Sequence, residues 1–173
     1  MKALIVIDMQ NDFISGSLGT PEAQAIVPKV AEKLMNYSML YDEVIFTQDT
    51  HFDYNYFDTN EGKHLPVRHC IKATYGWFVH PSIDDQECLH IEKKSFGYTS
   101  WRDVLGDVDE IELVGLCTDI CVISNALILK ALYPEATIVV DASCCAGTTP
   151  ENHKAALQVM KSCQIIVINE YGW

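Results

Sequence analysis

The chain has 173 residues, of which 12 are basic and 24 are acidic, so its formal net charge is −12. Such an acidic surface repels phosphate backbones and anionic lipids, which argues against nucleic acid and membranes as partners and favours a small neutral ligand. With 49% hydrophobic and 21% charged residues, we expect a single globular domain over residues 1–173.

The predicted elements alternate along the chain between apolar runs of strand length and stretches of helical spacing. Predicted strands cover residues 2–8, 43–48, 88–92, 111–116, 136–140 and 164–168. Helical spacing appears from Ile26 to Tyr37, from Ile120 to Ala131, and after the N-cap Thr149 and Pro150. Nearly continuous Val, Ile and Leu runs are typical of parallel strands covered on both faces. We therefore predict a three-layer α/β/α fold with a doubly wound sheet.

The start of the chain and its cysteines indicate a cytoplasmic protein. Only five apolar residues, Ala3 to Ile7, precede Asp8, which is too short for the apolar part of a signal peptide or for a membrane span. The seven cysteines are an odd number without the spacing of a disulfide framework. We expect most of them to be reduced, buried residues that pack as small hydrophobes.

One polar, aromatic and His-rich segment, residues 49–82, interrupts the alternation and contains the turn signal Asn60-Glu61-Gly62. In open α/β sheets, ligands bind beyond the carboxyl ends of the strands. The polar residues predicted at such ends are Asp8, Asp49, Lys93 and the turn at 117–121. We expect the functional site at that edge of the sheet.

Asp8 and Cys121 are the candidate base and nucleophile at this edge. Asp8 ends an apolar strand, and Cys121 lies where a strand gives way to a helix. A helix N-terminus can lower the pKa of a thiol, and its backbone N–H groups can bind an oxyanion. The structural alternatives are an Asp that caps the following turn and a Cys that packs in the core.

Two adjacent lysines, Lys93 and Lys94, end the third predicted strand. Either ammonium can stabilise a neighbouring thiolate, whereas the structural alternative is a solvated pair on a loop.

Asp49, His51 and His69 form a candidate metal site. Two imidazoles and one carboxylate suit zinc, iron or manganese and leave positions open for water or substrate. The structural alternative is a hydrogen-bonded turn pair of Asp49 and His51.

Five segments together resemble the isochorismatase-like cysteine hydrolase family, in particular its nicotinamidase/pyrazinamidase type. In chain order they are Leu4-Ile5-Val6-Ile7-Asp8-Met9-Gln10-Asn11-Asp12-Phe13, Thr47-Gln48-Asp49-Thr50-His51, His69-Cys70, Ile91-Glu92-Lys93, and Val114-Gly115-Leu116-Cys117-Thr118-Asp119-Ile120-Cys121-Val122. The resemblance implies a six-stranded parallel sheet, a catalytic triad of Asp8, Lys93 and Cys121, and a cis peptide between Leu116 and Cys117. It also implies self-association into a homo-oligomer.

The activity that the resemblance implies is hydrolysis of a small aromatic carboxamide, nicotinamide to nicotinate and ammonia, through a cysteine thioester. The backbone N–H groups of Cys117 and Cys121 then form the oxyanion hole, and a divalent metal, zinc or else iron or manganese, at Asp49, His51 and His69 positions the substrate ring. The alternatives are a related amidohydrolase for a carbamoyl or ureido compound and a catalytically silent α/β binding module.

The chain also departs from the family pattern near the expected substrate. The aromatic residue usual shortly before the third metal ligand is replaced within Leu65-Pro66-Val67-Arg68, Thr50 stands where Trp is usual, and Phe57 stands where some members have His. Lys94 is the triad lysine if the loop register shifts by one. By motif, the pocket residues are Phe13, Leu18, Tyr98 and Ile120.

Overall fold

The computed structural model describes residues 1–35 and 37–170, and the strands found there form one parallel sheet. The strands are β1 (Lys2–Ile7), β2 (Glu43–Asp49), β3 (Leu89–Lys93), β4 (Glu110–Leu116), β5 (Thr137–Ala146) and β6 (Ile166–Ile168). Their order across the sheet is β3-β2-β1-β4-β5-β6, and every neighbouring pair is parallel. The predicted six-stranded, doubly wound sheet is confirmed.

Helices connect the strands and begin where the sequence provides caps. They are α1 (Asn11–Ile14), α2 (Pro21–Leu34), α3 (Tyr37–Leu40), α4 (Asn60–His64), α5 (Trp101–Val104), α6 (Ile123–Leu132) and α7 (Pro150–Ser162). The side chain of Thr20 accepts a hydrogen bond from Ala23 N at the start of α2, and Thr149 accepts one from Asn152 N at the start of α7. In both helices a proline follows the cap, where its fixed φ is already helical.

Two separate apolar layers cover the sheet, because successive side chains of a strand point to opposite faces. Leu4 and Val6 of β1 pack in one cluster with Ile26 of α2. Ile5 and Ile7 pack in the other cluster, which includes α6 and α7. This alternation confirms the three-layer α/β/α architecture.

The end of β5 differs most from the sequence prediction, since this strand continues to Ala146 rather than ending at residue 140. The register between the two strands shifts between Leu113 and Gly115. Gly115 has φ +119°, and a Cβ there would lie 2.1 Å from Ile7 O. Glycine is required at this position because both the conformation and the close approach of β1 exclude a side chain.

None of the helices within residues 1–35 and 37–170 combines the length and apolar content needed to cross a bilayer.

Candidate functional site

The strand order brings the ends of β1 and β4 together at the point where the chain changes direction across the sheet. Asp8 follows β1, and Cys121 lies in a wide helical turn, Thr118–Val122, that follows β4 and leads into α6. Crevices at such a switch point are the usual ligand sites of doubly wound sheets. The two candidate reactive groups therefore lie at the same edge of the sheet, beside this switch point.

Lys93 lies between Asp8 and Cys121. Its Nζ is 2.6 Å from Asp8 Oδ2 and 3.6 Å from Cys121 Sγ. Asp8 is 0% exposed, Lys93 2% and Cys121 4%. Lys94 is exposed, and its Nζ lies 5.7 Å from the centre of the Phe52 ring. The structure thus brings together the three residues predicted as the triad, with Lys93 rather than Lys94 between the other two.

Asp8 has an unusual backbone conformation that ends β1. Its φ of 46° lies in the left-handed region, which a non-glycine residue adopts only when the surrounding structure holds it there. Thr47 of β2 provides that support, since its Oγ1 donates to Asp8 Oδ1 at 2.7 Å and its carbonyl accepts from Asp8 N at 3.2 Å. The second oxygen, Oδ2, then remains for the Lys93 ammonium.

Asp8, Lys93 and Cys121 shift one another's pKa values in this buried group. Burial raises the pKa of the Asp8 carboxyl, although the Lys93 ammonium opposes that shift. Burial alone would lower the pKa of Lys93, but Asp8, Cys121 and Asp49 raise it above its ordinary value. Lys93 therefore holds its proton more firmly, and Asp8 accepts a proton more readily, than the same groups do in water.

The Cys121 thiol differs from the prediction made from its place at a helix start. Burial and the Asp8 charge raise the pKa of Cys121 well above its ordinary range, and Lys93 opposes them. This direction is opposite to the lowering expected from the helix start, because desolvation outweighs the Lys93 cation. Burial therefore makes this thiol a weaker acid and gives a neighbouring base a role in its deprotonation.

Asp49, His51 and His69 also come together, with Glu61 as a fourth member of the cluster. One ligand atom from each lies within 4.8 Å of all the others. Asp49 Oδ2 is 2.8 Å from His51 Nε2 and 3.5 Å from His69 Nε2. Glu61 Oε1 is 3.7 Å from His51 Nε2 and 3.4 Å from His69 Nε2. These donors are the nitrogen and oxygen ligands that divalent metals such as zinc take in proteins.

The surroundings of His69 fit it for metal binding. Val67 O lies 2.9 Å and Tyr56 Oη 3.1 Å from His69 Nδ1. An Nδ1–H that donates to Val67 O leaves the Nε2 lone pair for a metal. Burial would lower the pKa of His69, but hydrogen bonds to Asp49 and Glu61 raise it to about 10. Without a metal, the two carboxylates thus hold a proton on His69.

Asp49 completes the fit of the cluster to a cation. Burial would raise the pKa of its carboxyl, but hydrogen bonds from His51 and His69 lower it, so Asp49 is a carboxylate. Among the described residues, its buried Oδ1 has no hydrogen-bond partner, and Lys93 Nζ lies 3.7 Å away. The residues present therefore fit a divalent metal.

Glu61 was not among the residues chosen from the sequence, where Asn60-Glu61-Gly62 indicated only a turn. These residues instead begin α4, whose N-cap Thr59 accepts from Gly62 N at 2.9 Å. A Cβ on Gly62 would lie 2.0 Å from Tyr56 O, so α4 packs directly on the preceding turn. The pattern Thr-Asn-Glu-Gly is a capping signal, but nothing in its spacing indicates a metal ligand.

A cavity of about 920 Å³ opens above these groups. Its wall includes Cys121, the metal cluster and Cys117, together with three of the four predicted pocket residues, Phe13, Leu18 and Ile120. Tyr98 is not among the lining residues; it packs edge-to-face on Trp101 with ring centres 5.1 Å apart. The prediction for Tyr98 is therefore wrong, because its ring turns towards the core rather than the crevice.

The cavity has aromatic surface in spite of the missing family aromatic. The Phe13 ring centre lies 5.6 Å from that of His69, and Phe52, Tyr54 and Phe96 also line the wall. Thr50 lines the cavity too, whereas Phe57 does not and contacts Arg68 instead, with the guanidinium carbon 4.8 Å from its ring centre.

The turn that carries Cys117 and Cys121 is held by hydrogen bonds from Thr148 and within the turn itself. The predicted cis peptide joins Leu116 and Cys117. Thr148 N and Oγ1 both donate to the Asp119 carboxylate, the first at 2.8 Å. Ile120 N and Val122 N both donate to Cys117 O, at 3.0 and 3.1 Å. Cys117 and Cys121 thus lie at the two ends of one constrained turn.

Comparison with known proteins places this geometry in a family. Residues 2–170 match the isochorismatase domain model. The nicotinamidase of Saccharomyces cerevisiae is 26% identical over 217 residues, covering 98% of this chain and 100% of the yeast protein. The nicotinamidase/pyrazinamidase of Mycobacterium tuberculosis is 28% identical over 188 residues, covering 97% and 98%.

A solved structure agrees in fold. The crystal structure of pyrazinamidase of Pyrococcus horikoshii in complex with zinc superimposes with a TM-score of 0.80 and 28% identity, over 96% of this chain and 98% of that one. The fold and the class of enzyme predicted from the sequence are thereby confirmed. The chain belongs to the isochorismatase family and is a hydrolase.

Proposed function

We propose that the protein hydrolyses a small aromatic carboxamide, with nicotinamide as the first candidate, to the free acid and ammonia. The observation that carries this proposal is the position of Lys93 Nζ, 2.6 Å from Asp8 Oδ2 and 3.6 Å from Cys121 Sγ, beside a cavity that Cys121 lines. Base, cation and nucleophile then lie within reach of one bound amide.

The first half of the reaction forms a thioester. Asp8 accepts the Cys121 proton as the sulfur attacks the carboxamide carbon, and the raised pKa of Asp8 supports this role. Lys93 stabilises the negative charge that moves from Asp8 to the sulfur. The backbone N–H groups of Cys117 and Cys121 receive the oxyanion. Asp8 then returns its proton to the amide nitrogen, which leaves as ammonia.

The second half consumes water. Asp8 accepts a proton from the water that attacks the thioester carbon, and the tetrahedral intermediate collapses with release of the Cys121 sulfur. Asp8 returns the proton to that sulfur, which restores the starting state and frees the carboxylic acid. Each proton removed by Asp8 is thus given back within the same half-reaction.

Asp49, His51, Glu61 and His69 would hold the divalent metal, with zinc as the first candidate and iron or manganese compatible with the same donors. A bound metal would supply an open coordination position for a ring nitrogen of the substrate. Phe13 beside His69 would pack on the substrate ring.

A second candidate is a larger or non-aromatic amide, such as a carbamoyl or ureido compound, cleaved by the same triad. The observation in its favour is the cavity of about 920 Å³, which approaches the upper end of the range for drug-sized ligands. The polar side chains of Asn55, Asn60 and Thr148 on its wall could bind further substrate groups.

The test is ammonia release from a panel of nicotinamide, pyrazinamide, benzamide and a ureido compound, with and without a chelator. We expect nicotinamide or pyrazinamide to react fastest and the chelator to reduce the rate. Cys121→Ala should lower the rate at least about a thousandfold, whereas Cys163→Ala, which removes an exposed thiol, should leave it unchanged. A folded Cys121→Ala variant that still releases ammonia would contradict the mechanism, and ureido turnover alone would favour the second candidate.

A further inference from the structure

A buried side-chain amide on α6 joins the turn Thr118–Val122, which carries Cys121, to the segment that follows β3. Asn125 is 0% exposed. Its Oδ1 accepts from Tyr98 N at 2.9 Å and from Trp101 Nε1 at 3.2 Å. Its Nδ2 donates to Phe96 O at 3.1 Å and to Cys121 O at 2.8 Å. The side chain thus bonds both to the backbone of Cys121 and to the loop after Lys93.

These four bonds use the full capacity of the Asn125 amide, which has two N–H donors and two acceptor lone pairs. A buried polar group that is completely satisfied is held in one orientation, because any rotation would leave donors or acceptors unpaired. Asn125 therefore acts as a rigid connection between its partners.

The loop that Asn125 binds also supports the Lys93 side chain. Lys93 Nζ donates to Ser95 O at 3.2 Å, one residue before Phe96. Gly97 in the same loop lies directly on α6, since a Cβ there would be 2.4 Å from Ile128 Cδ1. A shift of this loop relative to α6 would therefore move the lysine ammonium relative to the thiol.

We propose that Asn125 is a positioning residue that holds the Lys93 ammonium and the Cys121 sulfur at their 3.6 Å separation. The kinetic consequence rests on the proposed function, whereas the separation itself does not. Asn125 is not among the residues that line the cavity. Phe96, whose carbonyl it binds, does line the cavity, so we expect the loss of Asn125 to slow the chemical steps more than it weakens substrate binding.

The test is Asn125→Ala in the full chain with its metal, measured by crystallography and by kinetics. We expect the Nζ–Sγ separation to change by about 0.5 Å or more. We also expect kcat to fall about tenfold or more and KM to change by a smaller factor than kcat. The matched control is Tyr133→Phe, which removes bonds to Trp101 O and Leu105 O on the same α5–α6 contact but none to Cys121. Tyr133→Phe should change neither the Nζ–Sγ separation nor kcat.

A milder variant covers the case in which Asn125→Ala fails to fold. Trp101→Phe keeps an aromatic ring and removes one of the four bonds to Asn125. We expect kcat to be twofold to threefold lower, KM to change by a smaller factor than kcat, and the Nζ–Sγ separation to change less than in Asn125→Ala. The proposal is overturned if folded Asn125→Ala keeps the wild-type distance between Lys93 Nζ and Cys121 Sγ. If only Trp101→Phe folds, the same result in that variant overturns it. So does a rise in KM at constant kcat. If the wild type cleaves no amide, the proposed function fails, and the crystallographic distance still tests Asn125.

Discussion

Lys93 and Lys94 are neighbours in sequence but differ completely in environment. Lys93 ends β3 with its ammonium buried against Asp8 and Cys121, while Lys94 is exposed on the cavity wall. Adjacent side chains at a strand end point in opposite directions, so only one of the two can reach the triad. The register of β3 against β2, in which Lys93 pairs with Asp49, decides which one.

We predict that Lys93→Met and Lys94→Met separate chemistry from binding. Lys93→Met leaves the buried carboxylates of Asp8 and Asp49 without their cation, so we expect kcat to fall at least about a hundredfold and the free energy of unfolding to fall by about 3 kcal/mol. Lys94→Met should keep kcat within about twofold and change at most KM. Steady-state ammonia release measures kcat and KM, and urea unfolding measures the free energy of unfolding. Equal loss of kcat in the two variants would contradict the assignment of Lys93 to the triad.

Glu61 is a candidate metal ligand that only the folded structure indicates, because folding brings it beside Asp49, His51 and His69. We predict that Glu61→Gln weakens metal binding about tenfold or more, because the amide removes one negative charge from the cluster. Titration of the metal-free protein with zinc, monitored by calorimetry, measures the affinity. Glu92→Gln, which removes a carboxylate that pairs with Lys72 at the surface, is the control. Unchanged affinity in Glu61→Gln would remove Glu61 from the metal site.

At the scale of elements, α2 is joined to the sheet by a buried ionic group. Lys33 Nζ lies 2.5 Å from Glu112 Oε1 on β4 and 2.9 Å from Asp141 Oδ2 on β5. Tyr41 Oη donates to Glu112 Oε2 at 2.8 Å. Burial would raise the pKa of Asp141, but Lys33 and Ser143 lower it. Asp141 therefore contributes stability above its unfolded pKa of about 3.9, which is lost as the pH falls through its lower folded pKa.

Lys33→Met should reverse this pH dependence. Without the ammonium, burial is no longer offset by Lys33, so the folded pKa of Asp141 rises above its unfolded value and stability is lost as the pH rises through it. We expect a loss of about 3 kcal/mol at pH 7 that becomes smaller at pH 4.5. Urea unfolding at both pH values measures the change. Lys161→Met, which breaks a surface pair with Glu170, should cost under about 1 kcal/mol. An equal loss at both pH values for Lys33→Met would contradict this account.

At the scale of the whole molecule, the candidate metal cluster joins segments that are distant in sequence. They are the end of β2 with Asp49 and His51, the start of α4 with Glu61, and the loop after α4 with His69. We predict that zinc raises the melting temperature of the metal-free protein, because it binds only the folded state. A hundredfold excess over Kd corresponds to about 2.7 kcal/mol. Calorimetric melting with zinc and with chelator measures the effect. His51→Ala should show no rise in melting temperature with zinc, whereas His80→Ala, outside the cluster, should show the wild-type rise. A rise that survives in His51→Ala would place zinc elsewhere.

The sequence by itself determined the architecture and most of the candidate site. Its apolar runs indicated strands covered on both faces, and Thr149 with Pro150 marked the start of α7. Polar residues at strand ends indicated where Asp8, Asp49 and Lys93 would meet, because the carboxyl ends of parallel strands share one edge.

Only the tertiary structure decided which groups lie close enough to act on one another. It added Glu61 to the metal cluster, turned Tyr98 into the core, selected Lys93 over Lys94 and reversed the expected direction of the Cys121 pKa. Sequence patterns report the face and the end of an element on which a residue lies. Contacts between remote segments and the extent of desolvation depend on how those elements pack, which no local pattern contains.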